Sequence, residues 1–560
     1  MGLFMPAVAF AQFARIEVIH NCADAAAATV DVYANGGSLI PDFAFRTTTG
    51  WINAPAGIPL TIQIAPGNST SAAQAFATIP NVTFMANMKY VIIATGIQST
   101  TGYNPAPAFT LEVFPMGQED AALGTNTDVL VYHGSTDAPI VDVFETGVVD
   151  ATIIQDLAYG DFAGYLPLPT DDYVIEVRDE TGTVTVKSYD APLATLGLSG
   201  EAVVVVASGF LDPSQNSNGA AFGLFASTGA AGPLLPLPES KARVEIIHNC
   251  ADLAASTVDV YLNGSIAIPD FAFRTTTGFI DLPAGVELNI GIAPGNSQSA
   301  ADVIANFPVT LESGETYTVV ATGIVSPTGY NPAPTFGLQI HAMSREAALV
   351  SSNTDVLVFH GSTDAPMVDV VEIGVGAGQI INDLSYNEFN PYLELGTADY
   401  VLEIQDQAGN GVVSYSAPLA TLSLDGAAVT VVASGFLVPG QNSGGPGFGL
   451  FASTGSAGTL LPLPIYTVSV NEADAQLNMN VYPNPSVDVL NVVMNSEGGA
   501  DAYFELIDVT GRSMNGTTVP AEANGQIRAQ IDATALPVGI YTLRATTGST
   551  VVNRTVAVQR

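Results

Sequence analysis

The sequence predicts an all-β protein: a string of four immunoglobulin-like-size β-sandwiches followed by a small C-terminal β-sandwich. Three observations lead there. Short runs of β-branched and aromatic residues, bounded by Gly, Pro, Asn and Asp, recur at intervals of about 8–15 residues. No stretch of about 12 residues with the 3.6-residue period of a helix interrupts them. The chain also matches itself at fixed offsets, which points to repeated units before any strand is assigned. At 560 residues it is long enough for about four domains of roughly 150 residues.

The elements follow in order. Residues 1–11, MGLFMPAVAFA, are uncharged and mostly apolar and end in the small-x-small pattern of a signal peptidase site, so they read as the remnant of a secretory signal. ARIEVIHNCAD at 14–24 recurs as ARVEIIHNCAD at 242–252, and PDFAFRTTTG at 41–50 recurs at 269–278. DVLVYHGSTDAPIVDV at 128–143 returns as DVLVFHGSTDAPMVDV at 355–370. A fainter period of half that length links His20, His133, His248 and His360, each ending an apolar run and each followed four residues later by Asp. The chain therefore reads A-B-A′-B′, with sandwiches at 12–125, 126–239, 240–352 and 353–465. In the first, RIEVIH, TVDVYA, LTIQIA and KYVIIATG are the strand candidates. Short Pro-bearing joints such as LPLPES at 235–240 predict a semi-rigid string of units, an elongated rod. A linker at 466–478 and a smaller sandwich at 479–560 complete the chain.

Composition narrows the function classes. The 14 Lys+Arg against 53 Asp+Glu leave a net charge of −39, which opposes broad contact with nucleic acid or anionic lipid. Residues 466–560 hold nine acids and five bases, so almost all of this charge belongs to the four repeats, where it reads as a solvated surface. No apolar run reaches the 18 or so residues of a transmembrane helix. Two cysteines and five histidines are too few for zinc modules or a disulfide framework.

The best chemical constellation is the repeated His-x-x-x-Asp: His20 with Asp24, His133 with Asp137, His248 with Asp252, and His360 with Asp364. It admits a metal or proton-transfer reading, with Asp31, Asp142, Asp259 or Asp369 from the next strand as further partners. The simpler account, favoured here, is that Asp caps the turn while the imidazole holds the loop. One His per unit falls short of the three protein ligands of a catalytic zinc site. No catalytic residue is assigned, no cofactor is expected beyond weak Ca²⁺ binding, and the chain is not expected to be an enzyme. The alternative kept open is a secreted hydrolase or metal-dependent enzyme using those sites. Cys22 and Cys250 read as buried, unpaired thiols. The candidate contact loops are TGYNPAP, with Tyr103 and Asn104 or Tyr330 and Asn331, and the QNS loops, with Asn216 and Asn442. Their rings and amides suit surface glycans or neighbouring proteins.

The B repeats resemble the bacterial extracellular domain-of-unknown-function family 4397 through His133, Ser135, Asp137, Ala138, Pro139, Val141, Asp142 and Val143, and through the same residue types from His360 to Val370. The A repeats depart from that pattern, with Cys in place of Ser and no proline. The resemblance implies a fold and an extracellular setting and carries no activity. The tail resembles the type A sorting domain of the Bacteroidetes type IX secretion system. The residues that carry this are Tyr482-Pro483-Asn484-Pro485, the turn at Gly511 in DVTGR, and Gly539 and Tyr541 in GIYTL. That likeness implies export through the periplasm, recognition by the secretion machinery, and a destination outside the cell or on the outer-membrane surface. The whole is expected to be an exported structural or adhesive repeat protein.

Overall fold

The computed structural model describes residues 12–467, 479–495, 500–522, 525–548 and 550–560. The signal segment expected at 1–11 and most of the linker expected at 466–478 lie outside them. Among the described residues the regular elements are strands and six three-residue 3-10 turns, so the all-β class holds. No helix among them is long and apolar enough to cross a membrane. The chain divides into two compact units, 1–465 and 466–560.

Each repeat is a two-sheet sandwich. In A, one sheet orders Gly37–Ala44, Thr29–Ala34, Leu60–Pro66 and Ala77–Val82. The other orders Thr47–Pro55, Phe13–His20, Lys89–Thr95 and Thr110–Phe114, with Phe13–His20 parallel to Lys89–Thr95. Ala14, Ile16, Val30, Val32, Ile62, Ile64 and Ile92 meet between the sheets. B repeats the plan, with Asn126–His133 parallel to Ala202–Ser208 at its centre.

The four sandwiches of the expected string are present, and the two units of a pair touch over a broad face rather than only through their joint. The central sheets of A and B pack face to face. Along Lys89–Thr95, Tyr90 and Ile92 enter A's own core while Val91 and Ile93 point to B. Along Ala202–Ser208, Val203 enters B's core while Val204 and Val206 point to A. With Ile19, Leu130, Tyr132 and Leu234 these side chains form one buried seam. Ile247, Val320, Phe359, Val432 and Leu460 form the same seam between A′ and B′. Strands buried on both faces must be apolar at every position, which is why AVVVVAS and KYVIIAT do not alternate.

Three polar devices stitch each seam. Gly232–Pro233, at the end of B, adds a short strand to A's sheet beside Thr47–Pro55. Arg46, reaching out of A, donates to Ser208 Oγ at 3.0 Å, Ser208 O at 3.1 Å and Ala221 O at 2.8 Å, and its guanidinium lies 3.9 Å from the Phe225 ring centre. Arg274 repeats this on Ser434, Gly447 and Phe451. Glu17 is buried in the first seam, accepting from Thr48 Oγ1 at 2.8 Å and from Ser227 Oγ. Its carboxyl is pushed up by burial, more than the two hydroxyls pull it down. Across the joint between B and A′, Ser240 Oγ and Ser313 Oγ donate to Asp190 at 2.6 and 3.2 Å.

The C-terminal unit is a further sandwich. Its three-stranded sheet orders Asn480–Tyr482, Val489–Asn495 and Gln526–Asp532, and its four-stranded sheet ends in the hairpin Gly539–Thr547 with Thr550–Val558. Leu490, Val492, Phe504, Leu506, Ile527 and Leu543 fill its core.

Candidate functional site

The strand Phe13–His20 ends where the chain must turn away from the seam, and the repeated His and Asp organise that turn. His20 Nε2 lies 2.8 Å from Ala27 O, His248 Nε2 2.7 Å from Ala255 O, and His133 and His360 Nε2 each 3.0 Å from Pro139 O and Pro366 O. A carbonyl only accepts, so every Nε2 carries the hydrogen. Burial pushes His20 and His248 down to about 4 and lowers His133 and His360 as well, so all four rings are neutral near pH 7.

The aspartates hold a second loop. Asp24 accepts from Ala26 N at 2.9 Å, Gln98 N at 2.8 Å, Ser99 N at 2.5 Å and Ser99 Oγ at 2.8 Å. Burial pushes this carboxyl up, but the amides and hydroxyl outweigh it and hold it below the usual range; Asp252 behaves alike. Asp137 accepts from Leu211 N at 2.8 Å, Asp212 N at 2.9 Å and Asn216 Nδ2 at 3.0 Å, and Asp364 repeats this on Leu437, Val438 and Asn442. Asp31, Asp142, Asp259 and Asp369 sit elsewhere: each accepts the amide of a bulged residue with positive φ, namely Asp42, Asp156, Asp270 and Asp383. Among the described residues no three His, Cys, Asp or Glu are grouped to hold a metal ion.

Position 22 and its equivalents do a common job. Cys22 Sγ donates to Gly96 O at 3.0 Å, Cys250 Sγ to Gly323 O at 3.2 Å, and Ser135 Oγ to Gly209 O at 2.7 Å. Both thiols are free and buried, which pushes each up to about 12. Gly209 has φ +86°, and a Cβ there would lie 2.3 Å from Ala221 O, so only glycine permits this approach.

The two families of candidate contact loop meet. Asn104 N donates to Asn216 Oδ1 at 3.0 Å, Ser217 Oγ donates to Gly102 O at 2.8 Å, and Tyr103 lies 5.6 Å from Phe210, ring centre to ring centre. Asn331, Asn442, Ser443, Tyr330 and Phe436 repeat the junction in the second pair. Asn216 and Asn442 are fully buried and work as internal braces, whereas the side chains of Asn104 and Asn331 face solvent. Tyr103 and Tyr330 are half-buried, their hydroxyls accepting from Ala25 N and Leu253 N at 3.0 Å. Sequence reasoning missed Arg46 and Arg274. The signal was there: among only 14 basic residues, these two occupy the same place in both copies of FRTTTG.

In the C-terminal unit Asn484 Nδ2 donates to Thr555 O at 3.0 Å and its Oδ1 accepts from Ala557 N at 2.8 Å, tying the start of the domain to its last strand. Tyr482, Pro483 and Pro485 are exposed around it. Gly511, at φ +84°, closes the turn that Asp508 caps, and Tyr541, buried in the strand that Gly539 opens, donates to Pro537 O at 2.8 Å.

Comparison with known proteins gives two family matches. A model described as a domain of unknown function, DUF4397, matches 14–112, 127–214, 242–337 and 354–446. One described as a secretion system C-terminal sorting domain matches 480–559. No curated protein matches. Among solved structures, the ligand-free PulA of Klebsiella pneumoniae aligns at 9% identity over 55% of this chain and 30% of its own, with a TM-score of 0.12. The Bacillus anthracis TIE protein aligns at 10% over 80% and 67%, again at 0.12. PorZ, a bacterial surface component of the type IX secretion system of Porphyromonas gingivalis, aligns at 12% over 91% of each chain, also at 0.12. This chain spans about a third of the Klebsiella protein, and scores this low carry no argument.

Proposed function

This chain belongs to the DUF4397 family and ends in a secretion system C-terminal sorting domain, which marks it for secretion or attachment at the outer-membrane surface, and from that premise we propose that it is a non-catalytic structural or adhesive protein displayed outside the cell. The observation that carries the reading is the fused loop junction. TGYNPAP of one unit and QNSNG of the next are locked by hydrogen bonds into one surface, and the second pair repeats it. Two like surfaces on one chain favour avidity. The repeated His and Asp are committed to backbone partners, which supports a scaffolding role over proton transfer or metal binding. Asn104, Pro105 and Asn218 are the exposed groups that a glycan or neighbouring surface protein would meet.

Two measurements test this. A chain truncated after Pro464 is expected to stay inside the cell envelope while the full chain reaches the exterior; export of the truncated form would sink the delivery reading. The purified full chain is expected to bind cell-surface glycans or neighbouring cells, and Asn104→Ala with Asn331→Ala to weaken that binding. Absence of binding to any glycan or cell surface would overturn the adhesive role.

A further inference from the structure

The joint between B and A′ has a counterpart at each free end of the four repeats. On the B side, Asp190 N donates to Pro238 O and Tyr189 bridges Glu239; in B′, Ser416 N donates to Pro464 O and Tyr415 bridges Ile465. On the A′ side, Ala284 N donates to Ser240 O and Glu312 N to the Tyr317 hydroxyl; in A, Ala56 N donates to Gln12 O and Met85 N to the Tyr90 hydroxyl. The backbone of both faces is therefore repeated at the ends. Inside the joint Ser188 and Ser240 are buried, whereas at the ends Ser414 is half-buried and Gln12 exposed. A Cβ on Gly285 would lie 2.8 Å from Ser188 Cβ, so the two faces of the joint approach closely there. Gly57 keeps the same space open, and Ser414 keeps the residue that would enter it.

The side chains around these faces are distributed against the usual pattern. Terminal repeats keep an array soluble by carrying a polar outer face, while apolar side chains belong at internal joints. Here the rim of the internal joint is charged: Lys187 pairs with Glu239 at 2.7 Å on B, and Lys241 and Glu312 are exposed on A′. At the same positions B′ carries Val413 and Ile465, and A carries Phe13 and Met85. Ile465, Phe13 and Met85 are 62%, 49% and 63% exposed. Four positions charged in the joint are thus apolar on the two open faces of a chain with a net charge of −39. The covalent link explains the reversal. Inside the chain, the Glu239–Ser240 peptide bond holds B against A′ at a high effective concentration, so the joint needs little affinity of its own. Between molecules no such link exists, and buried apolar area has to supply the association.

We propose that the B′ face of one chain docks on the A face of a second copy, repeating the B–A′ joint between molecules and burying Val413, Ile465, Phe13 and Met85 around it. Ser414 enters the space at Gly57 as Ser188 does at Gly285. Ser416 and Ala86 stand where Asp190 and Ser313 hydrogen-bond in the joint, so one carboxylate fewer is desolvated. Because the two faces differ, the contact is heterologous: every chain keeps one open face of each kind, and copies add head to tail instead of closing as a dimer. The inference stands apart from the adhesive reading, since it uses the ends of the repeat array and none of the loop junction.

The test uses the full chain at physiological salt, where charges on separate copies are screened beyond about 8 Å. Sedimentation velocity over a concentration series is expected to show an open-ended series of oligomers. Two variants restore the side chains of the internal joint: Phe13→Lys with Met85→Glu closes the A face, and Val413→Lys with Ile465→Glu closes the B′ face. Each alone should weaken self-association about tenfold or more. An equimolar mixture of the two should form dimers and stop there, because each supplies the face that the other lacks. An unsubstituted chain that stays monomeric, oligomers that persist in either variant alone, or a mixture that behaves as its separate components would overturn the proposal. Should a variant fail to fold, Ala86→Cys with Ser416→Cys decides, at the positions of Ser313 and Asp190, whose side chains lie 3.2 Å apart in the joint. With Cys22 and Cys250 buried, a short bismaleimide should link this chain into a ladder that survives denaturation, and the absence of a ladder refutes the proposal.

Discussion

Acidification should weaken the repeats through their buried imidazoles, and the size of the effect at His20 and His248 follows from where they sit. His20 and His248 are buried among Phe43 and Phe45 or Phe271 and Phe273, with pKa values pushed down to about 4 from an ordinary 6.5. A base whose folded pKa is depressed is held neutral by the fold, so its contribution is present above about pH 6.5 and is lost as pH falls towards 4. Between pH 7.5 and 5 each ring should cost about 2 kcal/mol. For an A-B pair, treated as a cooperative unit of its size, that lowers Tm by about 4–8 °C. Glu17 and Glu245 act in the opposite sense. Their carboxyls are raised by burial, so the penalty of ionising them is relieved as pH falls. The clean experiment is scanning calorimetry at pH 7.5 and 5.0 on the Glu17→Gln, Glu245→Gln chain, with a histidine-selective NMR titration beside it. Titration of His20 and His248 near 6.5 in the folded protein, or an unchanged Tm in that background, would refute the reasoning.

Other perturbations probe the seam. Arg46→Ala removes three charge-assisted hydrogen bonds and a guanidinium from the face of Phe225, and should cost about 2–3 kcal/mol in urea unfolding. Arg46→Lys should recover little of this, because an ammonium lacks the planar fork. A fragment of residues 12–125 alone exposes Ile19, Val91 and Ile93, each worth about 1.5–3 kcal/mol when buried. It should bind a hydrophobic dye and aggregate where 12–239 unfolds in one transition; a monomeric, cooperatively folded 12–125 would contradict the paired architecture.

Much of this protein was legible along the chain because it depends on local pattern. Strand after strand is marked by β-branched runs between turn formers, and the offset between ARIEVIHNCAD and ARVEIIHNCAD exposes the repeat without any geometry. The YPNP start and GIYTL strand of the tail lie within one small sandwich, so the family they resemble could be read directly. The loop chemistry was only half readable. That Asp24 follows His20 by four residues suggests a capped turn, but the amides of Gln98 and Ser99 that saturate it come from about 75 residues away. Likewise Asn216 looks like a free contact residue until Asn104, 112 positions earlier, is seen to donate to its side chain.

What the tertiary structure alone decided is which faces meet. Val203 and Val204 are chemically the same residue, yet one belongs to B's core and the other to the seam with A. Periodicity reports that both faces of a strand are dry and stays silent on what dries them, because the hydrophobic effect is non-directional. The same limit hid the difference between the imidazoles. His20 and His133 end equivalent strands in nearly identical words, and only three-dimensional packing brings an amide to the Nδ1 of one and leaves the Nδ1 of the other without a protein partner among the described residues.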